Sequence, residues 1–194
     1  MHPIFFVLLG LLLGCAGIAL AQRFLSFAAQ RPQDYADQGP NFDIRTHLSG
    51  EILCEGVIYG PTGRVAARFI AEMVASWQGD TGVMTERFHY DSGAVQDREW
   101  QLTLGKDGKI TARADDLLGD GRGQQSGAAV QLGYRIRLPE SSGGWVMDVT
   151  DWMYLMENGT IINRSQFRKY GFKLAELVAT MRKKEDQAQI RPAA

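Results

Sequence analysis

The sequence predicts a mainly β protein, an eight-stranded antiparallel up-and-down barrel with an N-terminal membrane helix before it and a C-terminal amphipathic helix after it. Three observations predict this. From Phe42 onward, short segments with apolar residues at every second position recur along the chain. Turn sequences rich in Gly, Asn and Asp separate them at the spacing of an all-β meander and not of βαβ units. The first 21 of the 194 residues carry no Asp, Glu, Lys or Arg, whereas acidic and basic residues intersperse the remainder to a net charge of −1. That balance lacks the basic footprint of a phosphate-backbone binder, so nucleic acid is excluded as an expected partner. With 45% hydrophobic residues the chain can bury a sizeable core.

The stretch Pro3 to Ala21 is apolar or small throughout, close to the roughly 20 residues that cross about 30 Å of hydrocarbon as a helix. Residues 1–21 are therefore a membrane anchor or signal segment. Three fates fit them: an uncleaved anchor, a signal cut after Ala19-Leu20-Ala21, and a lipoprotein signal lipidated at Cys15 after Leu12-Leu13-Gly14. Only the α-amino group and His2 precede the apolar run, and Arg23 and Arg31 follow it. The positive-inside rule taken alone then biases the domain slightly toward the cytoplasm, since Asp34 and Asp37 offset the arginines. Residues 22–42, with Pro32, Gly39 and Pro40, read as a linker; 43–184 form the barrel domain with its helix, and 185–194 a flexible tail.

Eight strands can be counted. The first covers about His47 to Tyr59 and ends at the turn Gly60-Pro61-Thr62-Gly63. In the second, Val65, Ala67, Phe69, Ala71, Met73, Ala75 and Trp77 form an unbroken apolar set at period two, opposed by Arg64, Arg68, Glu72 and Ser76. The third (Val83 to Tyr90) and fourth (Val95 to Leu104) flank Asp91-Ser92-Gly93. The Asp107-Gly108 pair then turns the chain into a fifth, Ile110 to Leu118. Gly119 to Gly127 reads as a flexible polar loop with four glycines. The sixth strand alternates Val130, Leu132, Tyr134, Ile136 and Leu138 with polar residues, and the seventh (Trp145 to Met156) and eighth (Thr160 to Lys169) flank Asn158-Gly159. Leu174, Leu177, Val178 and Met181 fall at i, i+3, i+4 and i+7, predicting a helix over Phe172 to Lys184. Eight sequential strands would leave two edges, and closure removes both. Such a barrel either fills itself with side chains or holds one small ligand.

Charged residues in register with apolar neighbours are the candidates for specificity. Glu86 shares a face with Met84 and Phe88, Arg98 with Trp100 and Leu102, Asp151 with Val149 and Met153, and Arg164 with Ile162. They form either a self-satisfied ion-pair network or, through Arg98 or Arg164, a clamp for a ligand carboxylate in an apolar cavity. Trp77, Trp100, Trp145, Trp152 and Tyr154 are either core or pocket lining. The ligand-binding set is Glu86, Arg98, Trp100, Asp151, Tyr154 and Arg164. His89 reads as a surface residue or an acid/base group. Three scattered histidines and two distant cysteines offer no metal-ligand spacing, and Cys54 has no disulfide partner. No P-loop, Gly-x-Ser-x-Gly or His-Glu-x-x-His motif occurs, and no cofactor is expected.

Four runs carry a family likeness: Phe88-His89-Tyr90-Asp91-Ser92-Gly93; Asp97-Arg98-Glu99-Trp100; Asp151-Trp152-Met153-Tyr154-Leu155; and Asn163-Arg164-Ser165-Gln166-Phe167-Arg168-Lys169-Tyr170-Gly171. Together they resemble the bacterial DUF3833 family of uncharacterised proteins, over about Phe42 to Met181. The resemblance implies a proteobacterial source, a lipocalin-like barrel and envelope association, often as a lipoprotein, but brings no catalytic residue. The apolar segment here runs well beyond Cys15 without a charged n-region, a departure from the lipoprotein pattern. The resulting expectation is a barrel tethered to the bacterial inner membrane, on the periplasmic side, that binds a lipid, fatty acid or similar amphiphile. A lipoprotein or a cytoplasm-facing domain is the alternative for location. For function the alternatives are an enzyme acting on a lipid-like substrate, with Glu86, Asp151 or His89 as acid or base, and an envelope scaffold. A protein partner is not specified.

Overall fold

The computed structural model describes residues 3–184; the tail read at 185–194 lies outside the described residues. A long helix, α1 (Pro3–Leu25), precedes two short 3-10 turns and a one-turn helix, α2 (Ile44–His47). Ten strands follow: β1 (Gly50–Tyr59), β2 (Val65–Gln78), β3 (Thr81–Tyr90), β4 (Val95–Leu104), β5 (Lys109–Arg113), β6 (Gly121–Ser126), β7 (Ala129–Arg137), β8 (Val146–Leu155), β9 (Ile161–Lys169) and β10 (Phe172–Lys183). Every strand is antiparallel to its sequence neighbours and β1 pairs with β10, so the sheet closes into an up-and-down barrel.

The barrel has ten strands, not eight, and two misread segments account for the difference. The predicted helix at Phe172–Lys184 is β10, and no C-terminal helix occurs among the described residues. The register shifts between Lys173 and Ala175, which throws Leu174 out of phase, and Val178 faces outward. Those two residues supplied the false helical spacing, while Leu177, Ala179 and Met181 keep the period-two inward set. The supposed glycine loop contains β6. Its glycines serve close approach and not mobility: a Cβ on Gly123 would lie 2.0 Å from the Gln131 carbonyl oxygen. The fifth strand is also shorter than read, ending at Arg113, and residues 44–47 are helix before β1 begins.

The two ends differ. At one, α2 lies across the opening as a plug, with Phe42, Ile44 and Leu48 each no more than 3% exposed in the core. Asp43 caps α2 by accepting from the Arg45 amide at 2.9 Å, Arg45 reaches Asp80 at 2.8 Å on the β2–β3 turn, and the Trp77 indole donates to the Leu48 carbonyl at 2.7 Å. At the other end, the inward-facing Ile58, Phe88, Tyr90, Phe167 and Leu177 are only partly buried, forming a mouth.

Between α1 and α2 the chain lies along the outside of β8 and β9. Phe27 sits 4.8 Å from the Arg164 guanidinium, Gln30 accepts from Tyr35 and Tyr154, and Tyr35 packs on Trp152 at 5.3 Å. Trp152, on the outer face, thereby becomes wholly buried. The strap is locked at Gly127, whose carbonyl accepts from the Phe42 amide at 2.8 Å. Gly127 has φ +51, and a Cβ there would stand 1.8 Å from the Tyr35 carbonyl oxygen.

Gly127→Ala therefore combines a left-handed backbone penalty with a clash and should cost about 3 kcal/mol in denaturant unfolding. Gly63→Ala, with φ +80 and open space around it, should cost only about 1 kcal/mol. Hydrogen exchange over residues 28–43 should rise in the first variant alone; equal costs and equal exchange would show that the strap does not depend on this contact.

Candidate functional site

Inside the barrel the apolar wall is interrupted by two polar groups. On β3 and β4, Glu86 stands directly opposite Arg98 in register. Arg98 Nε lies 2.9 Å from Asp116, and its guanidinium stacks 3.9 Å from the Trp100 ring, which meets Tyr134 edge-on at 5.3 Å. On β8 and β9, Asp151 accepts from Ser165 Oγ at 2.8 Å and from Asn163, which also donates to the Trp152 carbonyl at 3.1 Å. Both groups line a cavity of about 120 Å³, with Phe69, Phe88 and Phe167 toward the mouth and Met73, Met84, Met153 and Met181 around it.

Desolvation sets the electrostatics. Burial pushes the Glu86 carboxyl from its ordinary 4.5 up to about 7, with the Arg98 charge and the Trp100 indole pulling it partly back. Burial also raises the Asp151 carboxyl, against the hydrogen bonds from Ser165 and Asn163. The Cys54 thiol, buried in the same interior, is pushed up to about 12, so it stays protonated and inert at neutral pH. The interior thus offers one cation and two carboxyls of raised pKa in a low-dielectric setting. Among the described residues no three His, Cys, Asp or Glu side chains group to hold a metal.

A break in the wall leads to this cluster. β4 pairs with β5 only from Gln101 to Leu104, so Val95 to Trp100 have a strand partner on the β3 side alone. Residues after β5 turn instead onto β7, through the Leu117–Ile136 bridge and the Arg137 amide donating to the Asp116 carbonyl at 2.8 Å. The resulting surface groove, about 590 Å³, reaches Glu86 and Arg98 from outside and is edged by Asp97, Glu99, Asp115 and Asp116. The Arg98–Asp116 pair spans the gap like a latch.

Of the sequence-predicted site residues, Glu86, Arg98, Trp100 and Asp151 meet in the cavity. Tyr154 and Arg164 do not join them. Tyr154 lies on the outer face of β8, stacked on Trp152 under the strap. Arg164 lies on the outer face of β9, 2.5 Å from Glu176, which also holds Lys173 at 2.6 Å. The apolar neighbour that suggested an inward Arg164, Ile162, itself faces outward, so the one-residue phase of β9 was inverted. Sequence reasoning missed Asn163, Ser165, Tyr134 and Asp116. The first two alternate with Ile161 and Phe167, a period that would have found them; Asp116 sits in a loop and carries no pattern. Among the other aromatics, Trp145 is exposed at the mouth, and His89 is on the outer face of β3.

The raised Glu86 pKa fixes a sign for stability. Between about pH 4.5 and 7 the folded protein holds a proton at Glu86 that the unfolded chain has released, so stability falls as pH rises through this window. The loss amounts to about 3 kcal/mol at most, at about 1.36 kcal/mol per pKa unit. In Glu86→Gln, unfolding free energy should lose that slope and exceed the wild type above pH 7.5; parallel pH profiles for the two proteins would place Glu86 in water.

No curated protein matches the sequence. Solved structures that share the fold include two that overlap most of this chain. One is the crystal structure of Rv2717c from M. tuberculosis, with 15% identity, 76% of this chain and 99% of that chain covered, and a TM-score of 0.52. The other is the S-type phycobiliprotein lyase CPES from Guillardia theta, with 8% identity, 79% and 97% covered, and a TM-score of 0.54. At these identities the likeness concerns the barrel alone. The family model described as "Protein of unknown function (DUF3833)" matches residues 21–183, the strap and the whole barrel, and the chain belongs to that family.

Proposed function

We propose that this protein is a membrane-tethered barrel of the bacterial envelope that holds a fatty acid or similar amphiphile, its head at the Glu86–Arg98 cluster and its apolar part toward the mouth. The observation that carries the reading is a charged, partly latched cluster enclosed in an otherwise apolar interior that opens at one end. Enclosed charge weakens a fold unless it is paired, and retaining Arg98, Glu86 and Asp151 there has a rationale if they orient a polar head. The tether follows from α1, whose Pro3–Ala21 stretch is long and apolar enough to cross a bilayer and is not buried in the barrel. The periplasmic side of the inner membrane is our preferred location. That the S-type phycobiliprotein lyase CPES of Guillardia theta has the same barrel architecture supports a ligand-holding scaffold.

The cavity of about 120 Å³ is smaller than the roughly 300–1,000 Å³ of drug-sized sites, so an acyl chain is admitted by displacing side chains. Four methionines on the lining, with unbranched flexible side chains, suit that displacement. An anionic head competes with Asp116 for Arg98. This gives the test its sign.

Full-length protein extracted in mild detergent should carry a co-purifying amphiphile in native mass spectrometry and should bind cis-parinaric acid in a fluorescence titration. Arg98→Ala should weaken that binding by on the order of ten-fold, as for loss of one charge-assisted hydrogen bond, whereas Asp116→Asn should tighten it. No bound mass together with no titration would leave a solid scaffold, and a bound species converted to product would make the protein an enzyme; either result overturns the reading.

A further inference from the structure

We propose that the aromatic rim of the barrel mouth, formed by Trp145, Tyr170 and Phe172, docks into the headgroup interface of the bilayer that α1 crosses, so that the cavity opens toward lipid and not toward water. The inference rests on the tethered reading above and deepens it.

The exposed aromatic side chains of the barrel concentrate at one end. Val65, Val95, Leu118, Trp145, Tyr170 and Phe172 all border the mouth, and the three aromatics are 53%, 86% and 74% exposed. Toward the plugged end the exposed apolar side chains are Val74, Val83 and Met156, and no aromatic ring is among them in the described residues. Aromatic rings with one polar edge are the residues that settle at membrane interfaces. The Lys169 ammonium stands 3.4 Å above the Trp145 ring, which puts a cation among the rim aromatics where lipid phosphate would lie.

The β9–β10 turn is built at a cost that folding alone does not ask for. Tyr170, at φ +51, and Gly171, at φ +82, occupy the two central positions of a two-residue hairpin, where Asn or Gly is the unstrained choice at the first. This tyrosine is held left-handed and 86% exposed, its ring 5.5 Å from the Lys169 ammonium and packed into no part of the core. Arg168 pins this turn by donating to the Gly171 carbonyl at 3.0 Å.

The course of the strap brings the bilayer to this end. Phe24, Ser26 and Arg168 line one recess near the mouth; farther on, Phe27 lies at Arg164, Gln30 at Tyr154, and Phe42 at Gly127 by the plug. The chain thus enters from the mouth end and travels to the plugged end. At about 3.3 Å per strand residue, Tyr170 projects about 7 Å beyond Arg168, within the depth of a headgroup layer. Charge agrees with this placement: Arg64 and Lys169 outnumber Glu140 on the aromatic arc of the mouth, while on the opposite arc Asp91 and Asp120 are paired with Arg68 and Arg113 and Asp115 adds a further carboxylate. The rim therefore meets an anionic surface tilted onto its β8–β10 side.

The test uses the full chain, with Cys15 and Cys54 replaced by Ala, reconstituted into vesicles of phosphatidylethanolamine and phosphatidylglycerol. An environment-sensitive bimane is attached in turn at Tyr170→Cys, Phe172→Cys and, at the plugged end, Met156→Cys. Nitroxide-bearing acyl chains should quench the labels at 170 and 172 at least about three-fold more than the label at 156, as for residues in the interfacial belt. A chain that fails to float with the vesicles overturns the tether and the docking together. A chain that floats with equal quenching at all three sites overturns the docking alone. A label at 170 that is shielded in detergent in a concentration-dependent way assigns the rim to a second copy and also overturns the docking. Tyr170→Asn with Phe172→Ser relieves the turn, so the variant should fold and stay anchored while hydrogen exchange over 169–173 loses its vesicle-dependent protection.

Discussion

The pairing of β1 with β10, from Ile52 opposite Lys183 to Tyr59 opposite Glu176, converts a meander into a barrel, and the other properties of the molecule depend on it. Without this seam β1 and β10 would each present a row of unpaired backbone groups to water. With it, one face of every strand looks into a shared interior. That interior is what desolvates Glu86, latches Arg98 to Asp116 and turns Asp151 onto Ser165 and Asn163. An open sheet carrying the same residues would leave these groups in water, with ordinary acidities and no cavity to share.

Closure also imposes a division of labour on the two ends. A ten-stranded tube is too wide for its own wall side chains to seal both, and only one receives a plug. Phe42, Ile44 and Leu48 complete the core there, and Arg45 and Trp77 fasten them to β2 and its turn. The interior charges would be a liability in a solid core, since unpaired they cost several kcal/mol. They are tolerated because Asp116 holds Arg98, Ser165 and Asn163 hold Asp151 and burial favours the neutral form of Glu86, and because they sit between the plug and the mouth where access is retained through the wall gap beside β4.

Much of this could be read in the residues, and the exceptions have physical causes. The alternation from Phe69 to Ala75 survives unchanged, because a half-buried strand must repeat every second residue. Glu86, Arg98, Trp100 and Asp151 were found by the same rule. The rule failed on Arg164 because β9 carries polar Asn163 and Ser165 inward and half-buried Ile162 outward, so that the apolar signal marks the wrong face. It failed on β10 because a bulge broke the phase, and on β6 because glycine gives no apolar signal even where packing demands it. Asp116 was invisible for another reason: its role arises from a loop crossing a gap between strands distant in sequence, a property of closure and not of local pattern.

The strap gives the molecule a direction of mechanical strength. It runs along the outside of β8 and β9 from one end of the barrel to the other before the chain enters the fold at the plug. A tension on α1 is therefore borne in sequence by the Phe27–Arg164 contact, by the Gln30–Tyr154 and Tyr35–Trp152 contacts, and last by the Phe42–Gly127 hydrogen bond. Contacts arranged along the line of pull share load in shear, so the plug and the ladder behind it are insulated from forces that reach the anchor.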